Sequence, residues 1–168
     1  MGERDALDTH FEIQEISFQE IKNFWATHLW PSRQSLIEPV SCINSEGDID
    51  IRLKEFIPLF YGQFFNNNLI GAISSCQTNF DEFRMRGLCV AKDHRGSGFS
   101  TRLIKTVFEN ITESVPKPTI WTLSRDTNFE FYNQFDFYKH KSVLNYEYGP
   151  HIILKNDNPK KTILTILT

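Results

Sequence analysis

The chain opens with alternating apolar and polar residues and then changes to a helical period. Residues 11–16, Phe-Glu-Ile-Gln-Glu-Ile, have the two-residue period of a half-buried strand. Ser17 and Glu20 have the spacing of a capping box, which predicts a helix that Pro31 ends. One face of this helix carries the apolar residues Ile21, Phe24, Trp25 and Leu29.

The apolar pattern weakens after Pro31. Residues 31–47 are rich in serine and predict an irregular loop with room for a short helix. Over residues 49–56, apolar residues alternate with charged neighbours. That stretch fits a strand or a short helix, and the sequence leaves both open.

Three apolar runs follow. Residues 59–65 and 69–77 flank Asn66-Asn67-Asn68, whose side chains tolerate left-handed turn conformations, so we expect a hairpin. Residues 83–91 form the third run, and the three together predict an antiparallel meander.

The most regular element is a long amphipathic helix that Pro116 and Pro118 close. Its apolar face comprises Leu103, Ile104, Val107, Phe108, Ile111 and Val115. Residues 119–123 then predict a short central strand. Asp126 or Thr127 is expected to cap a brief helix through residues 131–134.

Three strands are expected in the last third of the chain. Residues 137–146 and 151–154 predict two of them, joined around a Tyr148-Gly149-Pro150 turn. Residues 162–167 have high β propensity and little charge, so we expect an added strand in the fold or across a homodimer.

Composition narrows the class of protein. The 168 residues, 40% of them hydrophobic, predict one domain over residues 1–168. A formal net charge of -3 argues against nucleic-acid or anionic-membrane partners. The start of the chain resembles neither a signal peptide nor a membrane span, and three cysteines without a CxxC pair indicate reduced thiols. We therefore expect a cytoplasmic protein.

The segment between the third apolar run and the long helix is the best candidate for chemistry. Gly96 and Gly98 allow the backbone to approach a ligand closely, and the first helical turn presents unpaired N–H groups at the positive end of the helix dipole. This pattern predicts a site for an anionic cofactor. The histidines show no metal-ligand spacing, so we expect no metal.

The run Arg95-Gly96-Ser97-Gly98-Phe99-Ser100 resembles the central motif of the GNAT N-acetyltransferases, except that Ser100 replaces a Gly or Ala. The resemblance implies a mixed, mostly antiparallel sheet of about six or seven strands with about four helices, an α/β or α+β fold. It implies acetyl-CoA as co-substrate and a small-molecule or peptide amine as acceptor. Cofactor contacts are expected from this run, from the backbone at Leu88, Cys89 and Val90, and from Arg125 and Asn128. The Val90 N–H is the expected oxyanion donor.

A second motif, residues 131–137, resembles the family's Phe-Tyr helix end, with Asp136 in place of a Gly. By this resemblance Tyr132 is the general acid that protonates the leaving thiolate. The family's base position on the third run holds Arg84, so Glu82, or the neighbouring Asp81, is the candidate base, directly or through water. Arg84 and Arg86 share one face, which either contacts an anionic acceptor or covers the sheet in water.

Two other functions stay open. The departures at Arg84, Ser100 and Asp136 fit a CoA-binding or regulatory module that has lost turnover. The glycine turn alone also fits a binder of nucleotide phosphates.

Overall fold

The computed structural model describes residues 11–144 and 149–168. Its strands are β1 Phe11–Glu15, β2 Leu59–Phe65, β3 Asn68–Asn79, β4 Glu82–Val90, β5 Thr119–Ser124, β6 Tyr138–Val143 and β7 His151–Asn156. They form one seven-stranded sheet in the order β1-β2-β3-β4-β5-β7-β6. Over this part of the chain the α-helices are α1 Phe18–His28, α2 Phe99–Ser114, α3 Phe129–Asn133 and α4 Pro159–Thr165.

The sheet is mixed. β1 and β2, β5 and β7, and β6 and β7 pair antiparallel, whereas β4 and β5 run parallel over Glu82–Met85 and Thr119–Thr122. The α+β architecture with a mostly antiparallel sheet is therefore confirmed.

The predicted capping box is present at the start of α1. Ser17 Oγ accepts the Glu20 N–H at 3.1 Å, and Glu20 Oε1 accepts the Ser17 N–H at 3.0 Å. The helix ends at His28, with Leu29 as its C-cap, before the chain reaches Pro31. Trp25 and Ile21 are fully buried, so the predicted apolar face is the buried face.

The predicted hairpin is confirmed. Asn66 and Asn67 have φ values of 49° and 70°, the left-handed conformations that a two-residue turn between antiparallel strands requires. The open alternative over residues 49–56 resolves to a short 3₁₀ helix, Ile51–Glu55, capped by the Asp50 carboxylate. Residues 31–47 are irregular and contain no helix.

The long helix α2 buries the face that the sequence predicts. Leu103, Ile104, Val107 and Phe108 have no exposed surface, whereas Glu109 on the opposite side is exposed. No helix among the described residues has the length and apolar character needed to cross a membrane.

The prediction of a strand at residues 162–167 is wrong, because the chain there forms α4. Asn158 caps this helix by accepting the Lys161 N–H, and Pro159 occupies its first turn. Thr162 is fully buried, and its hydroxyl donates to Asp136 Oδ2 at 2.8 Å and accepts from Asn156 Nδ2 at 2.9 Å. The homodimer expected through a C-terminal strand loses its basis with that strand.

The prediction for the segment before α3 is also corrected. Neither Asp126 nor Thr127 caps α3, because Asp126–Asn128 forms a 3₁₀ turn that continues directly into it. β6 is shorter than expected, and residues 145–148, with part of the predicted turn at Gly149, lie outside the described residues.

The chain divides into two compact units. The first contains residues 11–39, Leu59–Ser74 and Gly87–Thr106, and its core includes Trp25, Phe60 and Cys89. The second contains Val40–Pro58, Ser75–Arg86 and Val107–Thr168, and it buries Phe108 against Phe137 at a ring-centroid distance of 6.0 Å.

Candidate active site

The glycine turn leaves a row of N–H groups available. Gly96 and Gly98 have φ values of 82° and 83°, and a Cβ at either position meets no described atom within 4 Å. Among the described residues, the N–H groups of residues 96–101 have no backbone or side-chain acceptor. α2 starts at Phe99, so its positive end faces the same space. We call residues 96–101 the amide loop; its open space and donors fit a diphosphate.

Arg95 anchors the amide loop to the end of β4. Its Nε donates to the Val90 carbonyl at 2.9 Å, although the residue as a whole is exposed. A guanidinium committed in this way holds the turn where the strand ends. The structure therefore gives Arg95 a positioning contact within the protein.

The end of β4 has its polar backbone groups alternating between two sides. The Ala91 N–H donates to the Ile70 carbonyl at 2.8 Å, which fixes that residue's groups toward β3. Because successive residues of a strand point their N–H groups to opposite edges, the Leu88 and Val90 amides are directed away from β3. Cys89 lies between them, and burial raises the pKa of its thiol to about 11.

A left-handed glycine interrupts β4 just before these residues. Gly87 has φ 71°, and a Cβ there would lie 2.4 Å from the Trp25 ring. Trp25 Nε1 donates to the Gly87 carbonyl at 2.8 Å. The fully buried indole thus holds an irregularity that re-aims the strand, a feature that often adjoins functional sites.

Tyr132 is placed by a helix end of a defined type. The Phe137 N–H donates to the Tyr132 carbonyl at 3.3 Å and the Asp136 N–H to the Asn133 carbonyl at 3.1 Å, the bond pair of a Schellman motif. Asp136 has φ 65°, so an aspartate takes the left-handed position as the sequence predicts. The Phe137 and Tyr132 rings make the apolar contact that accompanies this motif, at 5.7 Å.

The environment of the Tyr132 hydroxyl keeps it protonated. Burial raises its pKa to about 12, and a hydrogen bond with Thr122 opposes that shift. Thr122 Oγ1 itself donates to the Met85 carbonyl at 3.0 Å, at the last pair of the β4–β5 register. A neutral phenol at physiological pH can donate a proton, as the acid role requires.

Glu82 lies at the start of β4 and is held by two hydroxyl groups. Ser45 Oγ donates to its Oε2 and Thr78 Oγ1 to its Oε1, each at 2.9 Å. Lys155 Nζ lies 3.9 Å from Oε2. The carboxylate borders a cavity of about 680 Å³, lined by residues of 44–56 and 78–82 and by Lys155, which we call the polar cavity.

Arg84 and Arg86 do not cover the sheet in water. They are 7% and 8% exposed, and neither lines the polar cavity. Arg84 Nη1 donates to Ser41 Oγ at 2.7 Å, and its guanidinium lies 5.1 Å from the Trp121 ring centroid. The solvent-facing interpretation of these two residues is therefore wrong.

The remaining predicted positions are simpler. Arg125 and Asn128 are both exposed, and the Asn128 N–H donates to the Arg125 carbonyl at 3.0 Å. Cys42, Cys76 and Cys89 are free thiols. Among the residues described here, no group of three or more histidines, cysteines or carboxylates is arranged to hold a metal ion.

Sequence reasoning missed the supporting residues. Trp25, Thr122, Ser45, Thr78 and Lys155 each meet a candidate residue from a distant part of the chain or of the sheet. Only Thr78 carried a local signal, since it lies four residues from Glu82 across a tight turn.

Comparisons with known proteins agree with this fold. The acetyltransferase (GNAT) domain model matches residues 51–152, more than half of the chain. The chain therefore belongs to the GNAT acetyltransferase family. No curated protein matches it.

Solved structures with the same fold are distant in sequence. *Escherichia coli* ElaA is 14% identical, with a TM-score of 0.63 over 87% of this chain and 99% of that one. Spermidine N-acetyltransferase SpeG of *Vibrio cholerae* is 14% identical, with 0.64 over 93% and 98%. *Arabidopsis thaliana* Naa50, solved with a bisubstrate analogue of CoA, is 14% identical, with 0.63 over 87% and 97%.

Proposed function

We propose that this protein transfers an acetyl group from acetyl-CoA to a primary amine by direct attack in a ternary complex. The observation that carries the proposal is the amide loop, whose N–H groups have no acceptor among the described residues and whose glycines leave the space above them open. Family membership supports acetyl-CoA as the donor.

The residues of the chain have separate roles in this proposal. The amide loop binds the diphosphate, and backbone groups at Leu88, Cys89 and Val90 align the pantetheine arm as a missing strand would. Arg125 and Asn128, both exposed, are the proposed outer contacts. The Val90 N–H donates to the thioester carbonyl, a contact whose loss costs about 100-fold in similar sites.

Protons move through two side chains in the proposed reaction. The acceptor ammonium first loses its proton to Glu82, and its nitrogen then bonds to the acetyl carbon as the carbon–sulfur bond breaks. Six residues separate Glu82 from Leu88 along β4, so this transfer passes through water. Tyr132 donates its proton to the departing thiolate and regains one from solvent.

Calorimetric titration with acetyl-CoA tests the donor site directly. Binding at micromolar ligand is expected, and no heat at millimolar ligand contradicts the proposal. Thiol release against a panel of amines then tests turnover. Tyr132→Phe is expected to lower kcat about 100-fold while acetyl-CoA affinity stays unchanged. Full turnover by this variant ends the acid role.

A second function has one observation in its favour. The family's base position holds Arg84, a buried cation bonded to Ser41, which cannot accept a proton from an amine. A CoA-binding or regulatory module would keep acetyl-CoA affinity without thiol release. The same two measurements separate it from the enzyme.

A further inference from the structure

The polar cavity carries more carboxylates than cations. Four acidic residues line it, and the lining cations are Arg52 and Lys155. Arg52 is committed to Asp50 through two contacts of 2.9 Å, Nε to Oδ1 and Nη2 to Oδ2. Its charge is therefore already matched, and it offers little to an anionic ligand.

Lys155 is shared rather than committed. Its Nζ lies 3.9 Å from Glu46 Oε2 and 3.9 Å from Glu82 Oε2, longer than a charge-assisted hydrogen bond. Glu46 also meets His140 Nε2 at 2.8 Å and Lys141 Nζ at 3.8 Å. The Glu82 oxygens each accept one hydroxyl hydrogen and retain further acceptor capacity.

The shape of the cavity suits a chain that carries such a charge. Its volume, about 680 Å³, lies in the range of small-molecule sites. Phe56, half-buried in the lining, provides apolar surface for methylene groups. Glu55 is exposed in the same lining, whereas Glu82 is largely shielded. Carboxylates are thus available at different depths.

We propose that the polar cavity binds a second, permanently positive group of the acceptor, so that the acceptor class is an amine carrying another ammonium on a flexible chain. This inference rests on the proposed function. A carboxylate lining stabilises a protonated amine and opposes its deprotonation, which suits a group that stays charged better than the nitrogen that must attack.

A matched set of acceptors tests the proposal. α,ω-Diaminoalkanes of increasing length are compared with amino alcohols and amino carboxylates of the same length, whose second groups are neutral and negative. We expect the KM of the best diamine to lie about tenfold below that of its amino alcohol, and the amino carboxylate to be poorest. Equal KM values for the diamine and the amino alcohol overturn the proposal.

Variants locate the effect. Glu55→Gln is expected to reduce the preference for the diamine over the amino alcohol about twofold to fivefold. Glu109→Gln, an exposed carboxylate on α2 outside the lining, is the matched control and should leave that preference unchanged. A preference that both variants retain in full also overturns the proposal.

A binding measurement separates this inference from the proposed function. If no acceptor releases thiol, the transferase fails, and the cavity is then tested by titrating the diamine into CoA-saturated protein. Binding that weakens in Glu55→Gln supports the cavity as a cation site. No binding of any diamine to the wild-type protein refutes it.

Discussion

The amide loop and the polar cavity are built in opposite ways. The amide loop consists of main-chain N–H groups, and its only side-chain anchor described above is the Arg95 contact with Val90. The polar cavity is a set of side chains brought together from residues of 44–56, 78–82 and β7. The first site depends on backbone conformation and the second on which side chains meet.

This difference decides what each site can recognise. Backbone amides at a helix start suit any diphosphate, which fits a donor common to a whole family. Side chains vary without altering the fold, so the cavity is where one member acquires its own acceptor. Predictions that separate backbone effects from side-chain effects therefore test the comparison.

The largest effect is expected from Gly87→Ala. A Cβ 2.4 Å from the Trp25 ring and a left-handed φ should together lower the free energy of unfolding by about 3 kcal/mol. Urea denaturation measures this loss. Gly149→Ala is the control, because its φ is 93° but no described atom lies within 4 Å of the added Cβ, and about 1 kcal/mol is expected there.

Equal losses in the two variants would show that the Trp25 contact adds nothing to backbone strain. The strand irregularity before Leu88 would then have no side-chain support, contrary to the hydrogen bond from Trp25.

The next effect belongs to a side chain and appears at high pH. The pKa of Tyr132 is about 12 in the native protein and near 10 when unfolded. The unfolded state therefore loses its proton first, and as pH rises from about 10 to 12 the stability falls by about 2 kcal/mol. Below pH 10 this contribution is fully present.

Thermal unfolding of the wild type and Tyr132→Phe across this pH range measures the difference. The variant lacks the titrating group, so its stability should fall less steeply. Parallel curves would mean that the phenol is as solvated in the native protein as in the unfolded chain.

Gly98→Ala tests the backbone site with a smaller effect. The added methyl meets no described atom, so the fold should lose only about 1 kcal/mol through the left-handed φ of 83°. The methyl would fill the open space above the amide loop, and acetyl-CoA affinity by calorimetry should fall about tenfold. Gly149→Ala, with comparable strain elsewhere, should bind normally. An unchanged affinity in Gly98→Ala places the diphosphate elsewhere.

Most of the fold could be predicted because its signals are local. The capping box of Ser17 and Glu20, the asparagine turn and the apolar face of α2 each depend on residues within a few positions of one another. The C-terminal helix also had local signals in Asn158 and Pro159. The β propensity of residues 162–167 outweighed them, although burial of Thr162 favours the helix.

The candidate site divides along the same line. The amide loop and the helix end at Tyr132 are contiguous motifs, so the sequence predicts them. Glu82 was a candidate, but its partner Ser45 lies 37 residues away in an irregular segment, and no periodicity indicates that contact. Arg84 and Arg86 share a face as predicted, but alternation alone does not show which face other residues cover.

The smallest effect is expected where the two kinds of construction meet, at Arg95. Its Nε bond to the Val90 carbonyl holds the turn, while its charge is exposed and screened. Arg95→Lys keeps the charge and loses the planar donor, whereas Arg95→Met loses both. If the amide loop acts through its backbone, both variants should bind acetyl-CoA about threefold more weakly, with little dependence on salt. Calorimetry at two ionic strengths measures this. Wild-type affinity in Arg95→Lys with a salt-sensitive loss in Arg95→Met would instead make the charge the contributor, and the loop would then be partly a side-chain site.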